Sequence, residues 1–265
     1  MRAVILGLGI WVLGLGICPS AQEYVEFKSM QDRFSIVFPA QPKVTETTYT
    51  SEFKSILPSR VYSVDQGQSH FKVTVVDYNN IQAIATEKAK ACPPGAEACS
   101  GNTGSGSSTG AGYWKPDIEG AVIHATWELM QRPDEKAIYL GWTNMNLVEG
   151  HMVNLVNEKT KARTSAAIYM HENKLYIIEG TVPAGYPVPD FFQQSVGWLD
   201  ENGRDIRYLT IYHNGFPKPE VRAQGAAQAG GAQGQRGAQA GGAQGQRGAQ
   251  AGGAQGQRGA QGGNR

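Results

Sequence analysis

Apolar and polar positions alternate with a period of two along much of the chain, the pattern of half-buried strands. Phe34, Ile36 and Phe38 share one face of 33–38, a run closed by Pro39. Phe71, Val73 and Val75 share a face of 70–78, with Lys72 and Thr74 opposite. A shorter β-rich run follows Pro58 at 61–64, and later runs lie at 137–142, 151–156, 164–170 and 175–182. The last two are joined by His171-Glu172-Asn173-Lys174, a polar turn of hairpin length. Asn202-Gly203 is a strong turn signal before a final run at 205–212. Such short connections predict a mostly antiparallel sheet.

Three segments change to helical spacing. Ile81–Lys90 is alanine-rich with few breakers. The stretch 117–131 opens at Pro116-Asp117, repeats Ile118, Val122, Ala125 and Leu129, and stops at Pro133. The stretch 189–198 opens at Pro189-Asp190 and gathers Phe191, Phe192, Ser195 and Val196. Helices interspersed with antiparallel strands predict an α+β layered domain over 22–220. The Gly/Ser-rich stretch 100–112 has no apolar anchor and reads as a flexible loop.

The ends differ in kind. Met1-Arg2, an apolar run at 3–17 and Cys18-Pro19-Ser20-Ala21 read as a signal peptide over 1–21. The run is short of the roughly 20 residues that span a bilayer, so no transmembrane span is expected in the mature chain. The competing reading, a lipidated Cys18, is disfavoured by the bulky Ile17 before it. The mature chain keeps Cys92 and Cys99, and in an oxidising compartment this pair predicts a disulfide. The chain-entropy model gives it about 2.5 kcal/mol. Mass spectrometry of the non-reduced exported protein should find the two cysteines joined; two readily alkylated thiols would refute this.

The opening residues Glu26-Phe27 and Asp32-Arg33-Phe34-Ser35-Ile36-Val37-Phe38-Pro39 resemble those of exported bacterial proteins of the PsbP-like/DcrB-like family. The closing residues Lys174-Leu175-Tyr176, Phe191-Phe192-Gln193-Gln194-Ser195 and Gly203-Arg204-Asp205-Ile206-Arg207-Tyr208 are similar too. These are core and turn residues at the two ends of the body. The resemblance implies a twisted, mostly antiparallel sheet flanked by helices, and a non-enzymatic binding or assembly role by analogy. It carries over no site residue.

Charge divides the chain further. The whole carries +1, and residues 221–265 hold five arginines and no acid. Subtracting them and Arg2 leaves a body of net −5. The tail repeats Gly-Ala-Gln-Ala-Gly-Gly-Ala-Gln-Gly-Gln-Arg with a period of 11, placing Arg236, Arg247 and Arg258 alike. It lacks large apolar groups and the Gly-x-y period, which predicts a disordered coil and excludes collagen. Its arginines stand about 18 Å apart, beyond a Debye length of about 8 Å. They form a candidate weak, salt-sensitive site for an anionic polymer or lipid; export argues against nucleic acid. A solvating repeat without a partner fits the composition equally well.

Catalytic spacings are absent: there is no Gly-x-Ser-x-Gly, no His-Glu-x-x-His and no EF-hand loop. His124 and Glu128 stand one helical turn apart and read as a surface contact rather than an acid–base pair. Ser195, beside Phe191 and Phe192, reads as packing rather than as a nucleophile. Trp114, Trp127, Trp142 and Trp198 read mainly as core. Tyr113 and Trp114, which follow the Gly/Ser loop, are a candidate ligand rim. No catalytic residue, metal or cofactor is assigned. The expected protein is a periplasmic or secreted, non-enzymatic binding or assembly module with an unidentified envelope partner. The alternatives are an envelope hydrolase with an unrecognised site and an anion-binding surface protein acting through its tail.

Overall fold

The alternating runs fold into two antiparallel sheets, with three helices, in the computed structural model, which describes residues 24–93 and 113–214. The leader, Cys99, the 100–112 stretch and the repeats lie outside the described residues. In chain order the elements are β1 (Val25–Ser29), β2 (Phe34–Phe38), β3 (Lys43–Thr50), β4 (Ile56–Gln66), β5 (Ser69–Asp77) and α1 (Ile81–Lys90). They continue with α2 (Trp114–Met130), β6 (Glu135–Met145), β7 (Val148–Asn157), β8 (Arg163–His171) and β9 (Lys174–Val182). The last are α3 (Asp190–Gln194), β10 (Gly197–Leu199) and β11 (Asp205–Ile206). The seven-stranded sheet runs β3-β4-β5-β9-β8-β7-β6 and the four-stranded sheet β1-β2-β10-β11. The α+β class expected from the pattern is the class observed.

The large sheet is the middle of three layers. Tyr176 and Ile178 on β9 face the small sheet and join Phe34, Ile36, Phe38 and Trp198 in one core. Leu175 and Ile177 face the other way and join Ala121, Ala125 and Leu129 of α2 in a second core. Burial on both faces explains why β8 and β9 read as nearly continuous apolar runs rather than clean alternations.

The polar turn at 171–174 closes β8 onto β9, with Glu172 and Asn173 both at positive φ (47° and 55°). That is the twist a two-residue hairpin needs. The Asn202-Gly203 turn lies between β10 and β11, with Gly203 at φ 76°. Two expectations fall short. The helix expected at 189–198 ends at Gln194, because Val196 and Trp198 turn into the inter-sheet core and β10 pairs with β2. A side chain at Gly197 would meet Ser35 Oγ at 2.6 Å, so this pairing is close. The run expected at 205–212 is a strand only over Asp205–Ile206; Tyr208 and Tyr212 then pack as side chains against the inter-sheet core.

A buried ionic cluster joins the two sheets. Asp32, in the β1–β2 turn, is fully buried. Its carboxylate accepts hydrogen bonds from Arg60 Nε (2.7 Å) and Tyr62 Oη (2.7 Å) of β4 and from Lys174 Nζ (3.1 Å) of β9. Arg60 adds a second, shorter bond through Nη2. Tyr176 Oη donates to the Asp32 carbonyl at 2.7 Å. Burial pushes the Asp32 carboxyl up, but the Arg60 and Tyr62 hydrogen bonds and the Lys174 charge together hold it below its ordinary value. Burial, and then the hydrogen bond to Asp32, push the Tyr62 phenol up to about 12. No helix among the described residues is long and apolar enough to cross a membrane.

Candidate docking surface

The two edges of the large sheet differ. β3 offers Lys43-Val44-Thr45-Glu46-Thr47-Thr48-Tyr49-Thr50, a polar and charged row typical of a protected edge. β6, the opposite edge, is uncharged from Ala137 to Met145. On it Ile138 is 59% exposed, Tyr139 49%, Leu140 52% and Trp142 79%. A register shift between Ala137 and Tyr139 leaves Ile138 as the extra residue of a bulge. Beyond it, Leu140 and Trp142 lie opposite Val153 and His151 of β7, on the sheet face that carries α2.

The surface continues onto α2. The Trp142 indole meets the His151 ring edge-on, with centroids 4.9 Å apart. His151 Nδ1 lies 2.9 Å from Thr126 Oγ1 on α2, and burial pushes the His151 pKa down. On the outer side of α2, Ile123 and Trp127 are 64% and 58% exposed. Six large apolar side chains thus stand in solvent along one edge and its neighbouring helix. The reading of the tryptophans as core holds for Trp198, which is fully buried, and is corrected for Trp127 and Trp142. Trp142 stands in solvent because β6 is an edge strand, and Trp127 because it lies on the outer side of α2.

The residues with chemical potential elsewhere are engaged. Thr126 Oγ1 donates to the Val122 carbonyl at 2.7 Å, so His151 Nδ1 must be the donor in their contact. The pair is oriented the wrong way for a histidine to deprotonate the hydroxyl. Ser195 Oγ donates to the Phe192 carbonyl at 2.7 Å and accepts from Val37 N at 3.1 Å, the packing role expected. His124 Nε2 lies 3.4 Å from Glu128 Oε1, and Tyr49 Oη donates to Glu128 Oε2 at 2.9 Å. The expected surface contact is there, extended by Tyr49, which sequence reasoning missed because β3 lies far away in the chain. Nearby, Asp117 is buried and accepts a 2.5 Å bond from Ser51 Oγ. Burial pushes its carboxyl up, against the pull of that bond. Among the described residues no group of three or more His, Cys, Asp or Glu converges to hold a metal.

The remaining sequence candidates are placed as follows. Tyr113 stacks on Phe53 with centroids 4.9 Å apart and planes 11° from parallel. Trp114 begins α2 and packs partly buried against the helix-side core. The two follow the 100–112 stretch in sequence and are engaged in packing. Cys92 follows α1, its Sγ 3.5 Å from the Lys88 carbonyl, while its expected partner Cys99 lies outside the described residues. So do Arg236, Arg247 and Arg258. The chain matches no family model and no curated protein sequence.

Proposed function

We propose that the protein is an exported, non-enzymatic envelope module that docks a protein partner by strand addition along β6. The observation that carries this reading is the uncharged edge from Ala137 to Met145, with four large apolar side chains exposed on it. An extended partner satisfies the open backbone groups of such an edge, and its side chains cover the apolar row. The leader, which directs the chain to the periplasm or beyond, and the resemblance to exported PsbP-like/DcrB-like binding subunits point the same way. The hydrolase alternative has less behind it, because the hydroxyl nearest a histidine on this surface, that of Thr126, already donates to a carbonyl. Action through the Arg236, Arg247 and Arg258 repeats is the competing binding reading.

Retention of the exported protein in the envelope fraction separates the two. Trp142→Lys should reduce it at least tenfold, while truncation after Glu220 should leave it within twofold. The opposite pattern, with loss only on truncation and at high salt, would transfer the function to the tail.

A further inference from the structure

We infer that the strand added to β6 is β6 of a second copy, so that two chains join their sheets about a two-fold axis. This rests on the reading of β6 as a docking edge and names its occupant. The β6–β7 turn fixes which backbone groups are open. Met145 pairs with Val148 across the two residues Asn146 and Leu147, both at positive φ (49° and 65°), a type I′ hairpin. The closing pair of such a hairpin exchanges hydrogen bonds, and alternate residues then point their N–H and C=O the same way. Tyr139, Gly141, Thr143 and Met145 therefore direct theirs to β7. Leu140, Trp142 and Asn144 direct theirs to the open edge.

An antiparallel copy centred on Gly141 matches these groups. Leu140 then faces the partner's Trp142 and Trp142 faces the partner's Leu140, in two hydrogen-bonded pairs with apolar side chains on the helix-bearing face. Tyr139 faces the partner's Thr143 on the other face, and Gly141 faces its own equivalent. That bare position is already covered, since a Cβ on Gly141 would meet the Tyr139 hydroxyl; the tyrosine ring fills the space over the glycine. No charged residue enters the pairing between Ile138 and Asn144, so self-association opposes no like charges along the seam.

The exposed apolar side chains supply part of the area that a standard interface needs, and the paired backbone adds to it. Aromatic side chains of about 150–250 Å² each, half or more exposed, together with the aliphatic ones, give several hundred Å² per copy. A standard interface uses about 800 Å² per partner, backbone included. The largest patch on a typical monomer is about 300–600 Å². A two-fold axis perpendicular to the sheet keeps α2 of both copies on one face, with the two Trp142 indoles between the helices.

Sedimentation equilibrium of the full exported protein tests this. Wild type should sediment at twice the chain mass at tens of micromolar, and 0.5 M NaCl should preserve the dimer because no charged residue lies in the seam from Ile138 to Asn144. Leu140→Lys and Trp142→Lys, at exposed positions, should each weaken self-association at least 100-fold with the circular dichroism spectrum unchanged. A monomer at every concentration, or a dimer unaffected by both variants, overturns the inference. Envelope retention then decides the underlying reading: loss in Trp142→Lys keeps β6 as a docking edge for another protein, and unchanged retention removes that reading as well.

Discussion

Asp32→Ala should cost about 3–5 kcal/mol of folding stability, because it leaves cations buried without their counter-charge. Arg60 and Lys174 both reach Asp32, and their side chains are only 14% and 10% exposed. Removing the carboxylate also strips Tyr62 of its acceptor. The two sheets meet at this cluster, so the cost falls on the interface between layers. Urea unfolding at pH 7 measures it; a loss below about 1 kcal/mol would show that water replaces the carboxylate without penalty.

The pH dependence has a definite sign. Asp32 is held below its ordinary value in the folded state, so its contribution is complete above the unfolded pKa near 4 and disappears as pH falls through the folded value. Glu179 acts in the same direction: burial pushes it up, but Arg132 and Lys72 outweigh burial and hold it low. Asp117, pushed up by burial, acts oppositely and is destabilising once ionised. Wild type should therefore lose stability steeply below pH 4, and Asp32→Ala should lose less over the same window.

Trp198→Ala should cost about 3–5 kcal/mol, the range for truncating a large buried aromatic. Trp198 is fully buried between the sheets. It stacks on His171 at 4.7 Å and meets Tyr176 at 5.0 Å and Tyr169 at 5.6 Å. Its Nε1 donates to the Met145 carbonyl at 2.8 Å, which ties the short strand β10 to the turn end of the β6–β7 hairpin. Trp198→Phe keeps most of the packing and loses this bond, so its cost should be smaller, about 1–3 kcal/mol. The denaturant midpoints of the two variants check the order. Equal losses would mean that the hydrogen bond, not the ring volume, holds β10.

Local chemistry made several elements readable in the sequence. Helix α1 lies at Ile81–Lys90 as its composition indicates, since alanine-rich spacing with few breakers needs no distant contact to be helical. The 171–174 turn is marked by its polar run, with Asn173 a residue that tolerates positive φ. The β6–β7 turn escaped notice because Leu147, at φ 65°, is not a turn-former; cross-strand pairing over β6 and β7 imposes it. β3 and the full length of β4 escaped for a related reason. Thr-rich and Pro-containing runs become strands through the neighbour they pair with.

The sequence by itself determined the period of several strands, the position of α1 and the α+β class. It did not determine which apolar strands are covered. Ala137-Ile138-Tyr139-Leu140-Gly141-Trp142 and Ala166-Ala167-Ile168-Tyr169-Met170 look alike as residue runs. The second lies in β8, enclosed by β7 and β9 and buried on both faces, while the first lies in β6 with one strand beside it and its side chains in solvent. Burial depends on strand order, and strand order is set by pairings between residues far apart in the chain. Only the tertiary structure could therefore separate a core strand from an exposed edge strand.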